Sequence, residues 1–193
     1  LRTHDLRLDA TPPLDWGDRF QLTGRFTQPL MAPASHWPRW SGRAFVELPR
    51  ADLSQFRHHA DLPFELSEGL GALRGWFELR DGSLQAATVD LNLNQVALRL
   101  GANVDELRIA QLQGRIDAMR DAEGLTLSLE RFGFVTSDAM RWPGGDLKLK
   151  LRQRSGEPPS GGEFTAQHLD LALLAQIASR IPLGKVLHQM LAE

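Results

Sequence analysis

The chain has 193 residues, 42% of them hydrophobic and 24% charged, so it can bury a core and is neither disordered nor collagen-like. Its 22 Lys and Arg residues nearly balance its 24 Asp and Glu residues, which excludes the basic surface that nucleic acid or an anionic membrane would require. Cysteine is absent, so disulfides, thiol catalysis and zinc–thiolate sites are excluded.

The chain begins at Leu1 rather than at a methionine, and it has no run of about twenty apolar residues that would span a membrane. We interpret it as one segment of a longer protein. Any targeting signal or membrane helix is then expected outside this segment.

Residues 1–63 form the first predicted sub-unit. Leu6 and Leu8 alternate with polar residues, a pattern typical of a strand with one apolar face. A loop rich in proline is predicted over residues 27–41. Asp52 is a good N-cap and predicts a short helix that ends before a proline.

Residues 64–193 form the second predicted sub-unit, in which apolar residues recur at every second position. Asp81-Gly82 separates two such runs and predicts a β-hairpin, and a slip in the alternation near Ala87 predicts a β-bulge. The alternating residues predicted to line an apolar face are Phe77, Leu79, Val89, Leu91, Leu93, Leu98, Leu100, Ile116, Leu127 and Leu129.

The last part of this sub-unit carries a loop and a helix. Residues 152–162 contain consecutive prolines and glycines, which indicates a linker or a long hairpin loop. Asp170 is a candidate N-cap for a helix that stops before Pro182, and the helical spacing resumes from Gly184.

A short motif of the form L-x-G-x-apolar recurs along the chain. Its glycines are Gly24, Gly75 and Gly114, with a looser copy at Gly42. A glycine inside a strand marks a bend or a close backbone approach. The motif therefore predicts equivalent strands in a weak internal repeat.

One-sided alternation is typical of antiparallel sheets, so the predicted fold is mainly β, an antiparallel meander with two or three short helices. The apolar face of such a sheet must be covered by a second sheet, helices, a partner or lipid. From the residues alone, a closed β-sandwich is the favoured arrangement and a curved, open groove is the alternative.

No set of residues predicts catalysis. The neighbours His58 and His59 point about 100° apart on a helix and need a third element to share a metal. Asp170 is explained as a helix cap, and residues 69–75 lack the spacing and the following helix of a dinucleotide-binding loop. We therefore predict no enzyme activity, no cofactor and no metal.

The tryptophans are interpreted as packing residues at sheet edges and corners, with stacking on sugars or a membrane interface as the alternative. These residues are Trp37, Trp40, Trp76 and Trp142.

Three stretches of the chain carry a family resemblance: residues 62–76, residues 131–143, and the Leu-Asp-Leu element at 169–171 with the Ile-Pro-Leu that follows at 181–183. Their order and spacing resemble the YhdP-type members of the AsmA-like (AsmA/TamB) bacterial envelope proteins. The resemblance covers roughly residues 40–190.

The resemblance implies a periplasmic segment of a protein anchored in the inner membrane by a helix outside this segment. It also implies a repeating β-groove that carries phospholipid acyl chains between the inner and outer membranes, with other segments of the same protein as partners and no catalytic residues. With the resemblance, the predicted sheet is curved and groove-like, and the closed β-sandwich becomes the alternative. A non-catalytic scaffold in envelope assembly is the alternative function.

Overall fold

The computed structural model describes residues 1–31, 33, 36–58, 64–142, 144–152 and 161–181. They form one open antiparallel sheet of ten strands. The strands are β1 Arg2–Ala10, β2 Phe20–Gln28, β3 Ser41–Asp52, β4 Glu65–Arg80, β5 Ser83–Arg99, β6 Leu107–Arg120, β7 Gly124–Thr136, β8 Arg141–Trp142, β9 Leu147–Arg152 and β10 Gly161–Ala166. One α-helix, α1, spans Leu171–Ile177, and 3-10 turns span Trp37–Arg39, Leu53–His58 and Ala178–Arg180.

The predicted meander is confirmed. Each strand from β1 to β7 pairs with the next strand in the chain, and β9 and β10 continue the sheet beside β7. The two-residue β8 pairs only with β7 and lies off this path. The sheet does not close, so the open arrangement is correct and the closed β-sandwich, favoured from the residues alone, is wrong.

The register of the strands places the alternating apolar residues on one face, which we call the apolar face. Residues paired across two antiparallel strands share a face, so the pairing can be followed from strand to strand. One row runs through Leu8, Leu22, Val46, Gly75, Val89, Ile116, Leu129, Leu147 and Ala166. The next row runs through Leu6, Gly24, Ala44, Phe77, Ala87, Ala118, Leu127, Leu149 and Phe164.

The buried core lies at one end of the sheet, where β5 ends and β6 begins. Leu93 and Val96 both belong to it, and Gln95 between them has a φ of 53°, which breaks the strict alternation. Leu53 from the second 3-10 turn packs against this cluster. The buried members of the cluster are Leu93, Val96, Leu107, Ile109 and Leu112.

The glycines of the repeated motif make room for phenylalanine rings on the apolar face. A Cβ atom at Gly24 would lie 2.5 Å from Cε2 of Phe26, and one at Gly75 would lie 2.7 Å from Cε2 of Phe77. Each ring therefore folds back over the glycine two residues before it. Gly114 instead lies against the backbone of Phe132 in β7. The three glycines fall on β2, β4 and β6, as the repeat predicts.

The hairpin and cap predictions are confirmed in position. Asp81 and Gly82 join β4 to β5 with φ values of 48° and 69°. The predicted bulge lies two residues earlier than expected, because the pairing leaves Gln85 rather than Ala87 as the extra residue. Asp170 caps α1, and its Oδ1 accepts a hydrogen bond of 2.9 Å from the backbone N–H of Leu173.

Several predictions fall wholly or partly outside the described residues: the pair His58–His59, most of the loop at 152–162, and the helix from Gly184. On either side of that loop, β9 and β10 pair with each other. Strand β3 also pairs with β4 across the predicted boundary between residues 63 and 64.

We expect the Gly42→Ala substitution to lower the free energy of unfolding by about 2 kcal/mol or more. A Cβ atom there would lie 2.1 Å from the backbone oxygen of Arg25, so β2 and β3 would have to separate. Gly101→Ala is the control, since its nearest atom, Cγ2 of Val104, is 3.8 Å away. Urea denaturation measures both variants, and equal stability losses would contradict this account.

Candidate functional site

All but one of the candidate residues predicted from the alternation lie on four neighbouring strands, β4 to β7. Those on the apolar face are Phe77, Leu79, Val89, Leu91, Leu93, Ile116, Leu127 and Leu129. Leu98 is paired with Leu66 and Leu107 at the end of β5 and packs against the buried cluster. Leu100 follows the last residue of β5.

Burial divides these residues into two groups. Leu93 is only 5% exposed and belongs to the buried cluster, while Leu91 packs against that cluster. The remaining strand residues on the apolar face are half-buried, which leaves part of each side chain open to a ligand: Phe77, Leu79, Val89, Ile116, Leu127 and Leu129.

The apolar face extends well beyond the predicted candidates, to both edges of the sheet. At the β1 edge Leu6 is 49% exposed, and at the β10 edge Phe164 is 56% exposed. The alternation in β1 and β9 is visible in the sequence. The pairing register shows that β1 and β9 share a face with β4 to β7, and this register cannot be read from the sequence.

One row across the apolar face contains small residues on both sides of Phe77. Gly24 and Ala44 are followed along the same row by Phe77, and then by Ala87 and Ala118. These small residues lie between Leu6 on one side and Leu127 on the other. Such a surface can accommodate a flexible hydrocarbon chain and offers it no hydrogen bond.

Polar residues enter the apolar face at the end where β2 finishes and β3 begins, so the loop predicted over residues 27–41 overlaps both strands. There Nε2 of His4 lies 2.7 Å from Oε1 of Gln28, which is 1% exposed. The His4 ring stacks on the Trp40 ring with centroids 4.7 Å apart. His4 therefore contacts both Gln28 and Trp40 at this end of the apolar face.

The opposite face, which we call the charged face, is covered by ion pairs between neighbouring strands. The N–O distances are 2.6 Å for Arg25–Asp5, 2.6 Å for Arg43–Glu78, 2.8 Å for Arg74–Glu47 and 2.7 Å for Arg115–Asp90. Because oppositely charged partners occupy paired positions, this face is well solvated and nearly neutral.

The Arg115–Asp90 pair is the most complete of these contacts. Nε and Nη2 of Arg115 donate to the two carboxylate oxygens of Asp90 at 2.7 and 2.9 Å. These hydrogen bonds hold the pKa of Asp90 below its usual value and raise that of Arg115. Both side chains are one-third exposed, so solvent screens the pair.

The tryptophans occupy different environments. Trp142 is 6% exposed and stacks with Phe134, and Trp40 packs against His4 and Phe26, which fits the predicted packing role. Trp37, in the first 3-10 turn, is 65% exposed. Trp76 lies on the charged face.

Two kinds of feature are absent from the described ranges. No group of three or more His, Asp or Glu residues within them is arranged to hold a metal ion. Among the same residues, no helix has the length and apolar character needed to cross a membrane.

An open antiparallel sheet with one continuous apolar face and one charged face is the architecture that the AsmA-like resemblance implies for a groove-forming envelope protein. A family model described as YhdP protein matches residues 1–193, so the chain belongs to the YhdP family, a bacterial envelope family. The resemblance inferred from the sequence is thereby confirmed. No curated protein and no solved structure matches the chain.

We expect the Arg115→Gln variant to lose less stability on acidification than the unmodified protein. The folded-state pKa of Asp90 is lowered, so the contribution of this pair is present above the unfolded pKa of about 4 and is lost as the pH falls through the folded value. The difference should be at most about 1 kcal/mol between roughly pH 5 and pH 2.

Urea denaturation at a series of pH values measures this difference. Arg141→Gln is the control, because none of the ion pairs among the described residues includes Arg141. Identical pH dependence of the Arg115 variant and the unmodified protein would show that the pair does not depress the pKa of Asp90.

Proposed function

We propose that this chain is a periplasmic section of an inner-membrane-anchored AsmA-like protein that binds or conducts phospholipid between the inner and outer membranes. The observation that supports the proposal is the apolar face, which continues over nine paired strands and which the described residues leave only half-covered. The proposed role is non-catalytic and needs no cofactor.

Acyl chains are the ligand that this face suits best. Burying hydrocarbon stabilises a complex by about 0.8 kcal/mol per methylene, without any directional contact. The half-buried residues of the two rows that begin at Leu8 and at Leu6 offer apolar contact and no ionisable group. Binding of this kind recognises the acyl chain rather than the head group, so we expect poor selectivity among phospholipids, which suits a conduit.

The length of the apolar face also suits conduction. Neighbouring strands lie about 4.8 Å apart, so nine strands extend over roughly 40 Å. One leaflet of a bilayer contributes about 15 Å of hydrocarbon, half the thickness of the hydrocarbon core. The face is therefore longer than one acyl chain, and a chain can move along it from one strand to the next without leaving apolar contact.

The two outer edges of the sheet are available for pairing with further strands. Strands β1 and β10 each have one neighbour in the sheet, which leaves a row of backbone groups on each outer edge. We propose that other segments of the same protein pair with these edges and extend the apolar face. Contact with the inner membrane is then made by a helix outside this segment.

The Leu127→Asp substitution tests the proposed lipid site. Leu127 is half-buried on the apolar face between Ala118 and Leu149, so a carboxylate there would have to be desolvated by a bound acyl chain. We expect the amount of co-purified phospholipid to fall by about tenfold or more. Native mass spectrometry followed by lipid extraction measures it.

Thr126→Asp is the matched control, because Thr126 is the preceding residue of β7 and lies on the charged face between Met119 and Lys150. This variant should keep its lipid. If both variants fold and bind equal amounts of lipid, or if the unmodified protein carries none, the apolar face is not the lipid site. Leu91→Asp is a less direct test, since Leu91 packs against the buried cluster.

A further inference from the structure

The charged face carries an aromatic pair that the lipid proposal does not use. Phe45 and Trp76 are paired across β3 and β4, and their ring centroids lie 5.3 Å apart with planes inclined at 42°. Trp76 is 40% exposed. Both residues occupy positions that alternate with the apolar face, among Arg43, Glu47 and Glu78, so they do not contribute to the hydrophobic surface on the other side.

Ion pairs flank the aromatic pair on both sides along the strands. Towards the Asp81-Gly82 hairpin lie Arg43–Glu78 and Arg25–Asp5, and towards the other end lie Arg74–Glu47 and Arg115–Asp90. The Cζ atom of Arg115 lies 6.0 Å from the Trp76 ring centroid. The aromatic surface is therefore bordered on two sides by arginine and carboxylate side chains, which are paired with one another.

A cavity of about 620 Å³ opens over this surface. It lies in the size range of about 300–1,000 Å³ that is typical of small-molecule sites. Among the charged-face residues in its lining are Thr23, Arg43, Phe45, Trp76, Glu78 and Thr88.

We propose that this cavity is a binding site for a short, neutral oligosaccharide. A pyranose ring has an apolar C–H face and a rim of hydroxyl groups. The exposed part of Trp76, with Phe45 beside it, receives the C–H face. Guanidinium groups donate to hydroxyl oxygens, and carboxylates accept from hydroxyl protons, so Arg43 and Glu78 together match both roles of a hydroxyl group.

The charges around the cavity argue against other ligands. Arg25 and Arg43 are each neutralised by a carboxylate at 2.6 Å, so an anionic ligand finds no unpaired cation there. A cationic ligand would compete with Arg115 at the Trp76 ring. An acyl chain would displace the water that solvates the ion pairs. It would offer them no hydrogen bonds in place of those to water.

Saturation-transfer NMR with chitotriose and maltotriose as probes tests the proposal. We expect saturation to reach the ring C–H protons of at least one probe, with binding in the millimolar range or tighter. Trp76→Leu should weaken that binding by about tenfold, while Trp37→Leu, which changes a tryptophan 65% exposed in the first 3-10 turn, should leave it unchanged.

Glu78→Gln provides a second variant if Trp76→Leu does not fold. An exposed ion pair contributes little to stability, so this variant should fold and still bind the probe several-fold more weakly. The proposal is wrong if neither trisaccharide binds at about 10 mM, or if the Glu78 variant binds as well as the unmodified protein. Phospholipid extracted from the same samples is an independent readout, because the two sites lie on opposite faces.

Discussion

The pairing register between neighbouring strands is the constraint on which both surfaces of this protein depend. In a strand, successive side chains point to opposite faces, so a shift of one residue would exchange the apolar and charged residues of that strand. Here the register agrees over nine strands, from Leu8 beside Leu22 to Leu149 beside Phe164. The same pairings align Arg25 with Asp5, and Arg115 with Asp90, on the other side. Hydrophobic contact and charge pairing therefore favour one register together.

Much of the fold could be predicted from the sequence because the signals are local. Alternation predicted the strands, Asp81-Gly82 predicted the hairpin, and Asp170 predicted the helix cap. Whether the sheet closes depends on long-range geometry, and for that reason the residues alone favoured a sandwich. The positive φ of Gln95 illustrates a second limit: it brings Leu93 and Val96 into one buried cluster, although strict alternation would place them on opposite faces.

The candidate site was predicted in part. Alternation selected residues in β4 to β7, and most of them lie on the apolar face. It did not separate Leu93, which is buried, from Leu127, which is half-buried, because burial depends on whether the end of the sheet is covered by other elements. The sequence did not lead us to predict that Phe45 and Trp76 pair with each other on the charged face. The parity of Trp76 with Arg74 and Glu78 was the signal that could have placed it there.

We propose that phospholipid acyl chains occupy the apolar face and not the charged face. Site-specific photocrosslinking tests this directly, with a photoreactive amino acid placed at Leu149 on the apolar face or at Lys150, the next residue of β9, on the charged face. We expect phospholipid adducts, detected by mass spectrometry of the crosslinked protein, at position 149 and not at position 150. Equal labelling of both positions, or no lipid adduct at position 149, would contradict it.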